Sequence, residues 1–263
     1  MTVNFSKYHG AGNDFILIDN RDGVYDFDYQ FVRLLCDRHF GVGADGLMLL
    51  ENHSEYDFTM RYFNSDGAEA TLCGNGGRCI CAFANQLGIV DSTASFWASD
   101  GLHLAQIQKD GSNFHIDLLM KDIPLDSVDN AFDFINTGSP HFVQWVNDVT
   151  EAQVFQLGAE IRYSNRFASV GGTNVNFVQV LDFNRLKIRT YERGVENETL
   201  ACGTGAVASA ILHALKNGLK NGPISLNASG GDLTVNFILE EKTITNIVLS
   251  GPAVQVFDGT FKS

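Results

Sequence analysis

The chain has 263 residues, 44% of them hydrophobic and 19% charged, with 26 Gly and only 4 Pro. That length fits one large domain or two small ones, and an apolar share near the globular average excludes a disordered chain. A formal net charge of −13, with no Lys/Arg cluster anywhere, argues against a nucleic-acid partner, because phosphate backbones are held by such clusters.

The same acidity means that a small charged substrate must be met by local donors and not by the field of the whole surface. No run of about 18 uncharged apolar residues is present, so no membrane span is expected. The first twenty residues contain Lys7, His9, Asp14 and Asp19, a composition unlike a signal peptide. The five cysteines, Cys36, Cys73, Cys79, Cys81 and Cys202, are odd in number and irregularly spaced, which argues against a disulfide framework. A reducing cytoplasm is the expected location.

Taken in chain order, most of the sequence reads as strand. The turn Ser65-Asp66-Gly67 is followed by Gly77–Leu87, a helix stopped by Gly88. Lys109-Asp110-Gly111 then turns into Asn113–Leu118, where Phe114, Ile116 and Leu118 alternate with polar neighbours. Lys187–Glu192 is another half-buried strand, and Gly205–Asn217 a second helix, stopped by Gly218. After Ser229-Gly230-Gly231 comes Asp232–Leu239, with Leu233, Val235, Phe237 and Leu239 on one face, and then Val254–Phe257. Neither helix has a polar face of normal width: Cys79 to Ala84 run without interruption, as do Ala206 to Leu212 apart from Ser209. A helix apolar all round is surrounded by protein.

The helices are entered through similar sequences, Leu72-Cys73-Gly74-Asn75-Gly76-Gly77 and Ala201-Cys202-Gly203-Thr204-Gly205. The residues before them, Gly67–Thr71 and Glu196–Leu200, also agree in kind. The expected fold class is therefore α+β. Two pseudo-symmetric halves would each wrap a mostly antiparallel sheet around a central apolar helix, with the active site in the cleft between them. The first half is assigned to residues 1–118 with 250–263, and the second to residues 119–249.

A cysteine just before a glycine-rich turn at a helix start is favoured as a thiolate by the unpaired N–H groups there. The same N–H groups form a site for a small anion such as a carboxylate. Two such cysteines on either side of one α-carbon would suit inversion of a stereocentre, one thiolate removing a proton while the opposite thiol delivers one. Cys36, Cys79 and Cys81 are read as small buried hydrophobes. The Cys73…Cys79-Cys81 grouping lacks the spacing of a metal site, and no metal or cofactor is expected. A Cys73–Cys202 disulfide remains open as an oxidation product. The glycines alone match no phosphate-binding fingerprint. Taken singly, Asn13 and Asn64 suit turn geometry and Glu192-Arg193 a solvated pair. Likewise His141 suits an ordered loop, and Asp37, Arg38 and His39 a charged helix C-terminus.

Eight motifs in order resemble the diaminopimelate epimerase family, the cofactor-independent type with two cysteines. They are Lys7–Phe15, Cys36–Gly46, Met60–Gly67 and Leu72–Arg78 in the first half. In the second they are Asn136–His141, Gly172–Phe177, Tyr191–Gly194 and Ala201–Gly205. The resemblance spans essentially the whole chain. It implies an isomerase that interconverts LL- and meso-2,6-diaminopimelate without cofactor, on the route to lysine and peptidoglycan precursors. Cys73 is implied as proton donor and Cys202 as acceptor in one direction, assisted by His141 and Glu192. Gly74-Asn75 and Gly203-Thr204 would clamp the α-carboxylate, while Asn13, Asn64, Asn174, Glu192 and Arg193 would grip the remainder of the substrate. A homodimer is implied in the same way. The chain departs from relatives at Gly46, where some carry glutamine, and at Ser139, where others carry asparagine. Two other readings stay open: a proline or hydroxyproline racemase or epimerase, and a non-catalytic amino-acid-binding protein.

Overall fold

The computed structural model describes residues 2–70, 73–111 and 113–262. Thr71 and Leu72, part of the first repeated helix entry, lie outside the described residues. The chain divides into two compact units, Met1–Leu118 with Gly251–Ser263, and Leu119–Ser250.

In the first unit, β1 (Thr2–Gly10) and β2 (Asn13–Asp19) form a hairpin whose turn holds Ala11 at φ 51° and Gly12 at φ 85°. After α1 (Tyr29–Cys36), β3 (Gly46–Glu51) lies parallel to β2, and β4 (Phe58–Asn64) turns back on β3. A two-residue β5 (Glu69–Ala70) pairs with β4. Helix α2 (Gly74–Gln86) follows, then β6 (Thr93–Ala98) parallel to β4, and β7 (Gly101–Asp110) and β8 (Asn113–Leu119) antiparallel in succession. Residues 251–254 pair with β8 and residues 254–262 with β1, so the strands of this unit close on themselves.

Burial follows from this layout. Strands β2 and β3 carry unbroken apolar runs, Phe15–Ile18 and Leu47–Leu50, and are buried on both faces, as parallel neighbours covered on two sides must be. Ile16, Ile18, Leu47 and Leu49 pack with Val32 and Leu35 of α1. Phe15 and Met48 instead meet Gly76 of α2, and Tyr8 meets Phe83 edge-on.

The second unit repeats the plan. After the two-residue β9 (Ile123–Pro124), β10 (Phe134–Asn136) pairs antiparallel with β11 (Pro140–Trp145), and α3 (Val154–Arg162) leads to β12 (Asn174–Asp182), parallel to β11. Then come β13 (Arg185–Glu192), β14 (Asn197–Thr199), α4 (Gly203–Asn217), and β15 (Ile224–Ala228) parallel to β13. Strand β16 (Gly231–Leu239) and the first part of β17 (Thr243–Lys262) complete it. Each unit thus has strand pairs parallel at the same two places in the order, with a helix between each parallel pair.

Both central helices are buried through most of their length, residues 74–84 in α2 and nearly all of residues 203–214 in α4. Gly88 (φ 71°) follows α2, and Gly218 (φ 67°) caps α4, both in the left-handed conformation expected of a glycine stop. The helix starts differ from expectation. Both begin immediately after the cysteine, three residues early in α2 and two in α4, with Cys73 and Cys202 themselves as N-caps. Glycine is poor in a helix interior, but first-turn N–H groups lack an intrahelical acceptor anyway, and its missing side chain permits close packing. The residues Val254–Phe257 form strand as expected, yet Val256 and Phe257 are about half exposed at an irregularity in the β1 pairing, so that segment is not half-buried. Among the described residues, no helix is long and apolar enough to cross a membrane.

Candidate active site

In the first unit, Cys73 is half-buried in extended conformation (φ −98°, ψ 126°), and its carbonyl accepts from Gly77 N to open α2. Its sulfur donates to Asn13 Oδ1 at 3.5 Å, and Asn75 Nδ2 donates to the same oxygen at 3.2 Å. Asn13 in turn donates Nδ2 to Asp45 Oδ2 at 2.7 Å. Behind this lies an ionic network: Arg38 bridges Asp45 at 2.7 Å and Asp14 at 2.8 Å, and Lys7 pairs with Asp14 at 2.7 Å while donating to the Gly43 carbonyl. Burial opposes a charge on Asp14, but hydrogen bonds from Arg38 and Lys7 outweigh it and hold the carboxyl at about 2.

Arg78, one turn into α2, is fully buried. It donates to Asn75 Oδ1 at 2.8 Å, Gly74 O at 3.2 Å and Pro252 O at 3.4 Å, and among the described residues no carboxylate pairs with it. Burial opposes its charge, while negative charge at Cys79 or Cys73 would favour it.

In the second unit, Cys202 (φ −118°, ψ 113°) opens α4 in the same way, its carbonyl accepting from Ala206 N. Its sulfur lies 3.5 Å from Thr204 Oγ1. Thr204 Oγ1 is 2.9 Å from His141 Nε2, which also contacts Ser139 Oγ at 3.0 Å. On its other side, His141 Nδ1 faces Asn176 Nδ2 at 3.1 Å. Burial, followed by the charge on Arg193, pushes the imidazole down to about 3, so it is neutral at physiological pH. Asn174 accepts from Arg193 N at 2.8 Å and donates to Pro140 O at 2.9 Å and Ser139 Oγ at 3.2 Å. Glu192, at the end of β13, accepts from Thr199 Oγ1 at 2.8 Å.

The structure therefore gathers Asn13, Cys73, Gly74 and Asn75 in one unit, and His141, Asn174, Arg193, Cys202, Gly203 and Thr204 in the other. Asn64 lies exposed at the end of β4, opposite Gly46 in the register. A Cβ at Gly46 would lie 2.6 Å from Tyr62 Cε2, so the Tyr62 ring fills the space a longer residue would need. Cys36, Cys79 and Cys81 are buried, and desolvation pushes all three thiols upward, Cys36 to about 12. Among the described residues no cluster of His, Cys, Asp or Glu is arranged as metal ligands would be. Sequence reasoning missed Lys7, Asp14, Asp45, Arg78 and Asn176, and it read Arg38 as part of a helix-end charge cluster. The available signal was that these polar residues stand inside glycine-rich or apolar motifs and not in charge runs.

Two N-capping cysteines on buried helices, each backed by a polar web, can now be set beside known proteins. The diaminopimelate epimerase family model matches residues 5–122 and 134–256. The chain belongs to the diaminopimelate epimerase family. A diaminopimelate epimerase of Flavobacterium psychrophilum is 47% identical over 255 residues, covering 97% of this chain and 98% of its own. Among solved structures, a PhzF-family phenazine biosynthesis protein of Bacillus anthracis shares the fold at a TM-score of 0.75 and 15% identity, with both chains fully covered. A hydroxyproline epimerase of Agrobacterium vitis, bound to trans-4-hydroxy-L-proline, does so at 0.70 and 13%, covering 98% of this chain and 92% of its own. The two cysteines that precede the glycine-rich turns, Cys73 and Cys202, are thus the N-caps of α2 and α4.

Proposed function

We propose that this protein interconverts LL- and meso-2,6-diaminopimelate by proton transfer at one α-carbon, using Cys73 and Cys202 as acid and base and no cofactor. The observation that carries the reading is that each cysteine caps a buried helix whose first turn is glycine-flanked, once in each unit. First-turn N–H groups favour both a thiolate and a substrate carboxylate. Gly74-Asn75 and Gly203-Thr204 are assigned to the carboxylate clamp. Asn13, Asn64, Asn174, Glu192 and Arg193 are assigned to the rest of the substrate, and His141 and Glu192 to support of the thiols.

The chemistry requires both half-sites to act on one substrate. In one direction the Cys202 thiolate takes the α-proton, the electron pair delocalises into the carboxylate, and the helix N–H groups stabilise that charge. Cys73 then gives its S–H proton to the opposite face of the carbon, leaving Cys202 as thiol and Cys73 as thiolate. The resting contacts support this assignment. The Cys73 sulfur faces a carbonyl oxygen, which only accepts, whereas the Cys202 sulfur faces a hydroxyl that can donate to a thiolate. The reading includes a homodimer and a cytoplasmic location, which sedimentation and cell fractionation test.

Purified protein in deuterium oxide should exchange the α-proton of LL-diaminopimelate and form the meso isomer without added pyridoxal phosphate. Exchange with L-proline alone would replace the assignment with a proline-type racemase, and binding without exchange would leave a non-catalytic receptor.

A further inference from the structure

We propose that Asn176 is a positioning residue that keeps the His141 ring proton on Nε2 and thereby aims the Thr204 hydroxyl at the Cys202 sulfur. The inference rests on the acid–base role proposed for Cys202. It follows from which atoms can donate. Asn176 is fully buried on β12, with one side-chain terminus 3.1 Å from the Phe142 carbonyl oxygen and 3.1 Å from His141 Nδ1. A carbonyl oxygen only accepts, so that terminus is the NH2 group. The other terminus, Oδ1, accepts from Thr190 Oγ1 at 3.0 Å, which leaves the amide no reason to turn over.

With an N–H of Asn176 pointing at it, Nδ1 of His141 must accept, and the single proton of the neutral ring is on Nε2. That proton points at Thr204 Oγ1 and Ser139 Oγ, 2.9 and 3.0 Å away. The Thr204 oxygen accepts it, so its own hydrogen is released toward one of two remaining neighbours, Cys202 Sγ at 3.5 Å or Ser139 Oγ at 3.4 Å. When Cys202 is a thiolate the hydrogen goes to sulfur. When Cys202 carries the proton, it turns to Ser139. The opposite tautomer would have drawn the Thr204 hydrogen onto Nε2 and left the thiolate without this donor. Gly205 makes the arrangement sterically possible, since a Cβ there would fall 2.3 Å from Asn176 Oδ1 and 3.3 Å from the His141 ring.

Two measurements test this. In protein labelled with nitrogen-15 in its histidines, with His141 assigned by the signal lost in His141→Asn, the ring at neutral pH should show a proton on Nε2 only. A proton on Nδ1, or on both nitrogens, overturns the proposal. Iodoacetamide alkylation is followed against pH at the Cys202 and Cys73 peptides by mass spectrometry. A hydrogen bond to a charged group corresponds to about one pH unit, so Asn176→Leu and Thr204→Val should each raise the Cys202 midpoint by about that much. The Cys73 midpoint should stay where it is, and Thr204→Ser, which keeps the hydroxyl, should restore the Cys202 value. An unmoved Cys202 midpoint in Thr204→Val refutes the proposal even if Asn176→Leu does not fold. Failure of the underlying function is separable: epimerisation that survives Cys202→Ser would sink the acid–base role while leaving the tautomer result untouched.

Discussion

Asn13 donates its side-chain amide to Asp45 at 2.7 Å, and that bond leaves its carbonyl oxygen turned toward the Cys73 sulfur, 3.5 Å away. The orientation of a residue assigned to substrate is therefore set by a carboxylate that is itself held by Arg38. Asp45→Ala should let Asn13 rotate and lower kcat/KM about tenfold, the cost of one lost charge-assisted positioning bond. Because Asp45 is exposed, the unfolding free energy should change little. Steady-state kinetics and urea unfolding on one preparation check both halves, and an unchanged kcat/KM would show that Asn13 needs no such anchor.

The same network gives stability a defined pH dependence. Asp14 is held at about 2, below its ordinary value of 3.8. A depressed carboxyl contributes stability that is full above the unfolded value and lost as pH falls through the folded one. Asp14→Asn removes that contribution and leaves the nearly buried Lys7 without its counter-charge, a loss of about 3 kcal/mol at neutral pH. Urea unfolding at pH 7, 5, 4, 3 and 2 should show a constant gap between the two proteins down to about pH 4 and a narrowing gap below it. A gap that narrows already between pH 7 and 5 would point to a different titrating group.

Much of this architecture was legible in the sequence because two signals were strong. The cysteine–glycine entry occurs twice, and each is followed by an apolar run too wide to be a surface helix. The helix starts were displaced because glycine reads as loop, whereas here its small size is what brings Gly76 against Met48 and Gly205 against Asn176. The parallel pairing of β2 with β3 did not follow from alternation, since a strand buried on both faces, such as Phe15–Ile18, has no alternation to read. The ionic network was hidden for another reason. Lys7 and Asp14 come from one motif and Arg38 and Asp45 from another, and each alone resembles an ordinary surface charge. Only the hairpin and the β2–β3 pairing bring them together.

Those two glycines should respond differently to alanine. A Cβ at Gly76 would meet Met48 Cε, the free end of a flexible side chain, while one at Gly205 would meet Asn176 Oδ1, on an amide fixed at both ends. Gly76→Ala should be close to neutral in stability, helped by the better helix propensity of alanine, which is worth about 1 kcal/mol. Gly205→Ala should cost about 2 kcal/mol, in the range of core overpacking. Chemical denaturation ranks them, and equal losses would mean that the Asn176 amide gives way as easily as the methionine.

Arg78 offers the sharpest separation of charge from packing. Its guanidinium is fully buried one turn from Cys73 and, among the described residues, is met by three oxygens, none of them from a carboxylate. The positive charge therefore remains available to a thiolate at Cys73, whereas an acidic partner would have cancelled it. Arg78→Met removes the charge while keeping much of the volume. The Cys73 thiol should then ionise at higher pH, by about one unit for a nearby buried charge, and alkylation of Cys202 should be unaltered. Turnover should drop about tenfold, in the direction that needs Cys73 as thiolate. Stability should fall by about 1–3 kcal/mol, since oxygens lose their donor but no opposite charge is stranded. If the Cys73 midpoint stays where it is while stability falls, Arg78 only ties the start of α2 to Pro252. If the midpoint moves and stability barely changes, its charge serves the thiol.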